Sequence, residues 1–354
     1  MFNDKYYNVT KIDKTNAIYR MIIGQRSNGK TYALCDKILK EFLRTGRPSA
    51  YIRRFSEDIK PKNIELLFNP HNIEKLTKGK YNSVQYRSNC FYFVFIDEKG
   101  KVKSKSNNFF CKTFSLNTWE HSKGADTGNY KYIVFDEFIS RTGYISNEFA
   151  HFQNLLSSII RNKDDVIIYM IANTVSKFCP YFSEMKIDIE KIQQGEIFVY
   201  KSDTNDLSIA VEYCETNENV KSKTVKYYEF DNATVSMITA GAWEIPSYPH
   251  LYFDYSDRYV ITTFYIDLQK IKLIGKIMRY ENDVLIYIYP NTKNHTADEK
   301  TVFYSDDPRS RLHQKNLMLG DLKIHKLIQK LIKEGRLCFS DNETGDKFFN
   351  ILNN

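Results

Sequence analysis

The octapeptide Gly24-Gln25-Arg26-Ser27-Asn28-Gly29-Lys30-Thr31 satisfies the pattern G-x-x-x-x-G-K-[ST]. Each residue type has a physical reason to be there. Glycines let the backbone wrap close to a phosphate and turn its N–H groups inward. The Lys30 ammonium can reach β- and γ-phosphates, the Thr31 hydroxyl can ligate Mg2+, and the dipole of a following helix favours negative charge. The motif therefore predicts ATP and Mg2+ as ligands. A second run, Tyr132-Ile133-Val134-Phe135-Asp136-Glu137, leads a strand-like stretch into two carboxylates. Asp136 at the strand end would hold Mg2+ through water. Glu137 beside it can take a proton from a water attacking the γ-phosphate. A nucleotide kinase has no use for such a base, so the pair points to hydrolysis.

Three further features carry less. Asn173 follows the apolar run Val166 to Ala172, where a polar side chain would sit beside the γ-phosphate; a cap or turn residue is the plainer alternative. Arg161, in Ile160-Arg161-Asn162-Lys163, could reach a neighbouring subunit's nucleotide, but the residues alone favour a helix-terminal cation stabilised by the dipole. Tyr51-Ile52-Arg53-Arg54 ends a strand, and strand ends in α/β sheets face the ligand crevice. A surface basic pair is an equal alternative. Lys101-Val102-Lys103-Ser104-Lys105 and Lys221-Ser222-Lys223 read as solvated faces.

The elements that must position these groups follow from periodicity. Ala17 to Ile23 reads as a strand ending at Gly24, and Thr31 to Leu43 as a helix with Leu34, Ile38 and Phe42 on one face. Ser49 to Arg54, Tyr132 to Phe135 and Val166 to Ala172 read as further strands. Ile145 to Arg161 reads as a helix, capped by Ser146 or Asn147. Strand and helix alternate, which predicts an α/β fold with a mostly parallel sheet flanked by helices. Gln85 to Phe114 reads as an antiparallel extension, with a hairpin turn at Asp97-Glu98-Lys99-Gly100. A boundary falls between 200 and 248. The expected layout is a nucleotide-binding domain over 1–200, a linker region over 201–247 and a smaller C-terminal α+β domain over 248–354. That last part offers strands at 259–266, 272–277 and 284–289, then a basic amphipathic helix lined by Ile324, Leu327, Ile328, Leu331 and Ile332 with Gly335 as its C-cap.

Composition removes other classes. At 354 residues two domains are expected. With 42% apolar and 15% aromatic residues the chain is not disordered, and 14 Gly and 8 Pro exclude collagen-like classes. The polar start predicts no signal peptide, and no apolar run approaches the ~20 residues that span a bilayer, so no membrane partner is expected. Six scattered cysteines without a C-x-x-C pair predict no disulfide framework and a reducing compartment. Seven histidines form no ligand-spaced cluster, so no structural metal is expected. The net charge of +8 fits a partner with an acidic surface.

Gly24 to Thr31, Tyr51-Ile52-Arg53-Arg54, Trp119 in Leu116-Asn117-Thr118-Trp119, Ile133 to Ile139, Arg161-Asn162 and Asn173 together resemble, in order and spacing, the DNA-packaging ATPases of φ29-type short-tailed phages. These are terminase-like, additional-strand P-loop ATPases, and the resemblance covers residues 15–180. It implies a ring ATPase, a homopentamer, at the portal vertex of a procapsid in the bacterial host cytoplasm, hydrolysing ATP to drive double-stranded DNA inside. Its implied partners are the portal or connector protein and a structural packaging RNA. The resemblance makes Lys30 and Thr31 nucleotide-binding, Asp136 the metal aspartate, Glu137 the catalytic glutamate and Arg161 a trans-acting arginine finger. It also makes Lys123 a basic residue acting across the subunit interface, and Arg53 a partner of Glu137. Larger packaging motors carry an RNase H-like nuclease domain, whose chemistry needs several carboxylates converging on two metals. Asp254, Asp257 and Asp267 lie near the first C-terminal strand without an evident partner set, so an inactive nuclease-like docking scaffold is expected. Two readings stay beside this one: another P-loop ATPase on nucleic acid, of helicase or partition type, and a nucleotide-gated adaptor without turnover, which Glu137 argues against.

Overall fold

The computed structural model describes residues 7–118, 128–140, 144–161, 163–177, 179–201, 207–215, 243, 247–269, 271–292 and 300–353. The chain divides into two compact units, Met1–Glu244 and Ile245–Asn354.

The first unit is built on a ten-stranded sheet. Its strands are β1 (Tyr19–Gly24), β2 (Ser49–Arg53), β3 (Ser83–Arg87), β4 (Cys90–Ile96), β5 (Val102–Lys105), β6 (Cys111–Ser115), β7 (Tyr132–Asp136), β8 (Ile167–Asn173), β9 (Ile197–Lys201) and β10 (Ser208–Tyr213). The order is β3-β4-β6-β2-β7-β8-β1-β10-β9, with β5 paired to β4. The six strands from β6 to β10 run parallel, and β3, β4, β5 and β9 are antiparallel additions at the edges. The expected mostly parallel sheet is thus present, and the 97–100 turn closes the β4–β5 hairpin, with Asp97 Oδ1 accepting the N–H groups of Lys99 and Lys101 at 3.0 and 2.8 Å.

The parallel strands are apolar because both faces are covered. Side chains alternate between two cores. Met21, Ile23, Ile133, Phe135, Ile168 and Met170 pack against Phe152, Leu155 and Ile159 of the helix Glu148–Ile160. Ile22, Val134, Tyr169 and Ile171 pack against Leu34, Ile38 and Leu39 of the phosphate-loop helix, Lys30–Thr45. That helix stops at Gly46, whose φ of 73° suits glycine and whose N–H returns to the Phe42 carbonyl. The expected side-chain cap on the other helix is absent: Asn147 makes no capping bond, and the Glu148 carboxylate instead accepts the Ile145 N–H at 2.9 Å.

The first unit also reaches further than residue 200. β10 lies within the range expected as linker, yet it pairs parallel to β1 and buries Ile209, Ala210 and Val211. A short strand buried on both faces has no alternation to reveal it.

The second unit holds a six-stranded sheet of β11 (Val260–Leu268), β12 (Ile271–Tyr280), β13 (Asp283–Pro290), β14 (Val302–Ser305), β15 (His313–Gln314) and β16 (Leu337–Phe339), in the order β15-β14-β11-β12-β13-β16. β11, β12 and β13 form an antiparallel meander; β14 lies parallel to β11 on its far side and β15 parallel to β14. This is the RNase H-like arrangement, extended by β16 alongside β13. Phe264, Ile266, Ile277 and Ile286 pack against Ile328 and Leu331 of the helix Lys323–Lys333 and Phe348 of the helix Asn342–Asn353. Gly275 leaves room for the Phe264 ring across the pair, since a Cβ there would lie 2.1 Å from its Cζ.

Candidate nucleotide-binding site

β1 runs into the phosphate loop at Gly24. A Cβ on Gly24 would meet Cys214 Cβ at 2.8 Å, so only glycine lets β1 and the chain after β10 approach so closely here. Gly29 turns at φ 96° and the helix starts at Lys30. Residues 26–32, Asp136, Glu137 and Ile171 to Asn173 line a cleft of about 270 Å³. β8 lies between β1 and β7, and its register sets Asn173 directly beside Gly24. The expected loop residues, the acidic pair and Asn173 therefore meet at one end of the sheet.

Lys30 is buried, and Nζ donates to the carbonyls of Gly24 (3.1 Å) and Gln25 (2.8 Å) and to Oδ1 of Asn28 (3.2 Å) and Asn173 (3.3 Å). All four are uncharged oxygens. Burial pushes the ammonium down to about 8, against the opposing pull of the Asp136 carboxylate. A desolvated cation whose own hydrogen-bond acceptors are all neutral suits a polyanion such as a triphosphate. Thr31 and Asp136 bring a hydroxyl and a carboxylate to the same cleft, the hard oxygen donors that Mg2+ takes while keeping several waters.

The acidic pair is held from β2. Tyr51 and Arg53 are two residues apart on that strand and so share a face toward β7. The Tyr51 hydroxyl, fully buried, donates to Asp136 Oδ2. Arg53 donates through Nη1 to the same oxygen at 3.0 Å and through Nη2 to Glu137 Oε2 at 2.7 Å. Burial works against the Arg53 charge, but Asp136 and Glu137 outweigh it and raise its pKa. Glu137 occupies the left-handed region at φ 60°, which costs a non-glycine residue about 1 kcal/mol or more. The Ile171 carbonyl accepts its N–H at 2.8 Å and holds it there. Its side chain is 53% exposed.

Arg54 points the other way and is buried. It grips both Glu148 oxygens (2.8 and 3.0 Å) and donates to the carbonyls of Glu137 (2.9 Å) and Phe138 (2.8 Å). The Tyr181 hydroxyl completes Glu148 at 2.8 Å. This support of the Glu137 loop escaped sequence reasoning, although strand alternation would have sent the two arginines to opposite faces.

Arg161 ends the helix Glu148–Ile160, is exposed, and donates through Nε to the Ser158 carbonyl at 3.2 Å; it does not line this cleft. Trp119 and Lys123 lie outside the described residues. In the second unit, Asp257 accepts the Tyr255 hydroxyl at 2.6 Å and pairs with Lys276 at 3.0 Å, and Asp267 pairs with Lys272 at 3.5 Å. Among the described residues no group of three or more His, Cys, Asp or Glu is placed to hold a metal ion.

A parallel sheet with an added strand between the phosphate-loop strand and the acidic strand defines the additional-strand class of P-loop folds. Residues 1–225 match the family model described as Podovirus DNA encapsidation protein (Gp16), and the chain belongs to that family. A DNA packaging protein of Bacillus phage phi29 is 29% identical over 185 residues, 50% of this chain and 49% of that protein. One of Bacillus phage B103 is 29% identical over 168 residues, 47% of each. The chain spans about half the length of the curated relatives it matches. In structure it is similar to a chain of the bacteriophage Phi-29 viral genome packaging motor assembly, with a TM-score of 0.56 and 20% identity over 99% of this chain and 100% of that one. The Phi-28 gp11 DNA packaging motor gives 0.52 and 16%, over 99% and 98%. These likenesses establish the fold.

Proposed function

We propose that this chain is an ATP-hydrolysing motor subunit that drives double-stranded viral DNA into a preformed procapsid, working as a homopentameric ring at the portal vertex in the host cytoplasm. The observation that carries it is the convergence of Lys30, Asn173, Asp136 and Glu137 on one cleft, with Arg53 bridging the two carboxylates. Lys30 and the loop N–H groups bind the triphosphate. Mg2+, held by Thr31 and Asp136, would neutralise charge on its β- and γ-oxygens. Asn173 orients the γ-phosphate. Glu137, once released by Arg53, takes the proton from the attacking water.

Arg161 is exposed and outside its own chain's cleft, which supports a role on a neighbouring subunit's nucleotide. Lys123 belongs to the same interface by family resemblance. The β4–β5 hairpin, with all of β5 exposed, and residues 53–63 are the candidate DNA-contacting segments. The first unit is the ATPase domain. The second is an RNase H-like scaffold without nuclease activity that docks on the portal protein and a structural packaging RNA; Asp257 and Asp267 engaged by lysines support that role.

The test is phosphate release with Mg2+, with and without double-stranded DNA. Glu137→Gln is expected to keep ATP binding and lose turnover by roughly 100-fold or more. Stimulation by single strands in place of duplex would replace this reading with a helicase, and no phosphate release from assembled rings would replace it with a nucleotide-gated adaptor.

A further inference from the structure

The cleft has one large aromatic wall that the chemistry above does not use. Tyr32 is the third residue of the phosphate-loop helix, and the residue is 47% exposed. One face is covered by the His71 imidazole, with centroids 4.2 Å apart and planes 9° from parallel. His71 is buried. Its Nδ1 lies 3.3 Å from the Phe68 carbonyl oxygen, and its Nε2 lies 3.2 Å from the carbonyl oxygen of Tyr32 itself. Phe68 behind it is fully buried and stands edge-on to Phe91 and Phe110 at 4.8 and 4.9 Å. The Tyr32 ring is therefore a plate backed by a packed column, with its open area on the side away from His71. A ring already ordered loses little rotamer freedom when a ligand stacks on it.

Its place along the nucleotide follows from the loop. Backbone N–H groups of a phosphate loop take the α- and β-phosphates, and the lysine takes the β and γ. Asp136, Glu137 and Asn173 mark the γ end of this cleft. Tyr32 follows Thr31 into the helix, so it belongs to the opposite end, toward ribose and base. The geometry points to Tyr32 as the stacking platform for the purine base of the bound nucleotide, an inference that rests on the nucleotide-hydrolysing reading. Stacking accepts any π-face, so the plate favours base-bearing nucleotides over bare polyphosphate and does not separate adenine from guanine.

The test measures affinity of the full chain for ATP, GTP and inorganic tripolyphosphate, with Mg2+, in wild type and Tyr32 variants. Tyr32→Ala is expected to weaken ATP and GTP about tenfold while tripolyphosphate stays within about twofold. Tyr32→Phe should retain wild-type affinity. Tyr32→Trp should too, with its fluorescence quenched by ATP and not by tripolyphosphate. Unchanged ATP affinity in Tyr32→Ala, or an equal loss for tripolyphosphate, would overturn the platform alone. Wild-type protein that binds neither ATP nor tripolyphosphate would overturn the nucleotide reading beneath it.

Discussion

Lys30 sets a pH dependence that can be worked out by sign. Its unfolded value is near 10.5 and its folded value is pushed down to about 8. Folding therefore disfavours the ammonium. That penalty is fully present below about 8 and is relieved as pH rises toward 10.5, so the free chain gains stability over that window. Phosphate affinity moves the opposite way, because the neutral amine attracts no polyanion. We expect kcat/KM for ATP to fall as pH rises through about 8, and a Lys30→Met variant, already weak, to lack that limb. That Lys30, Thr31, Asp136 and Glu137 meet in one cleft was legible in the sequence, because phosphate chemistry dictates both residue type and spacing. The Tyr51 bond to Asp136 was not, because it depends on pairing between β2 and β7, across 85 residues of chain.

Among the elements, β2 acts on both sides of the sheet. Its last residue, Arg53, reaches the acidic pair, while Arg54 just after it locks the Glu137 loop to the helix Glu148–Ile160 through a buried ion pair. Removing one partner leaves the other charged and desolvated. Arg54→Ala is therefore expected to destabilise the first unit by about 3–5 kcal/mol, read by urea unfolding. A change below about 1 kcal/mol would mean the pair is solvated in solution. Most of the strand and helix succession up to β8, and the β11–β13 meander, could be read from apolar runs, but β9, β10, β14 to β16 and the helix Asn342–Asn353 could not. β10 hides in a polar stretch with no period. The start of the helix Glu148–Ile160 lacks the expected side-chain cap from Asn147, and the Glu148 carboxylate there binds Arg54, Tyr181 and the Ile145 N–H together.

For the whole molecule, the proposed ring makes each cleft incomplete without its neighbour. Arg161→Ala mixed into wild-type rings should then depress DNA-stimulated ATPase more than in proportion to its fraction. A strictly linear decline would place Arg161 outside any shared site. The Arg53 bridge also bears on when the chain works. On the proposed reading, a guanidinium that engages Asp136 and Glu137 Oε2 holds the base away from an attacking water, so isolated copies are expected to turn over slowly. In the proposed ring, turnover would then be conferred by assembly. Arg53→Ala in the unassembled chain should raise basal phosphate release, and an unchanged basal rate would show that silence before assembly has another origin.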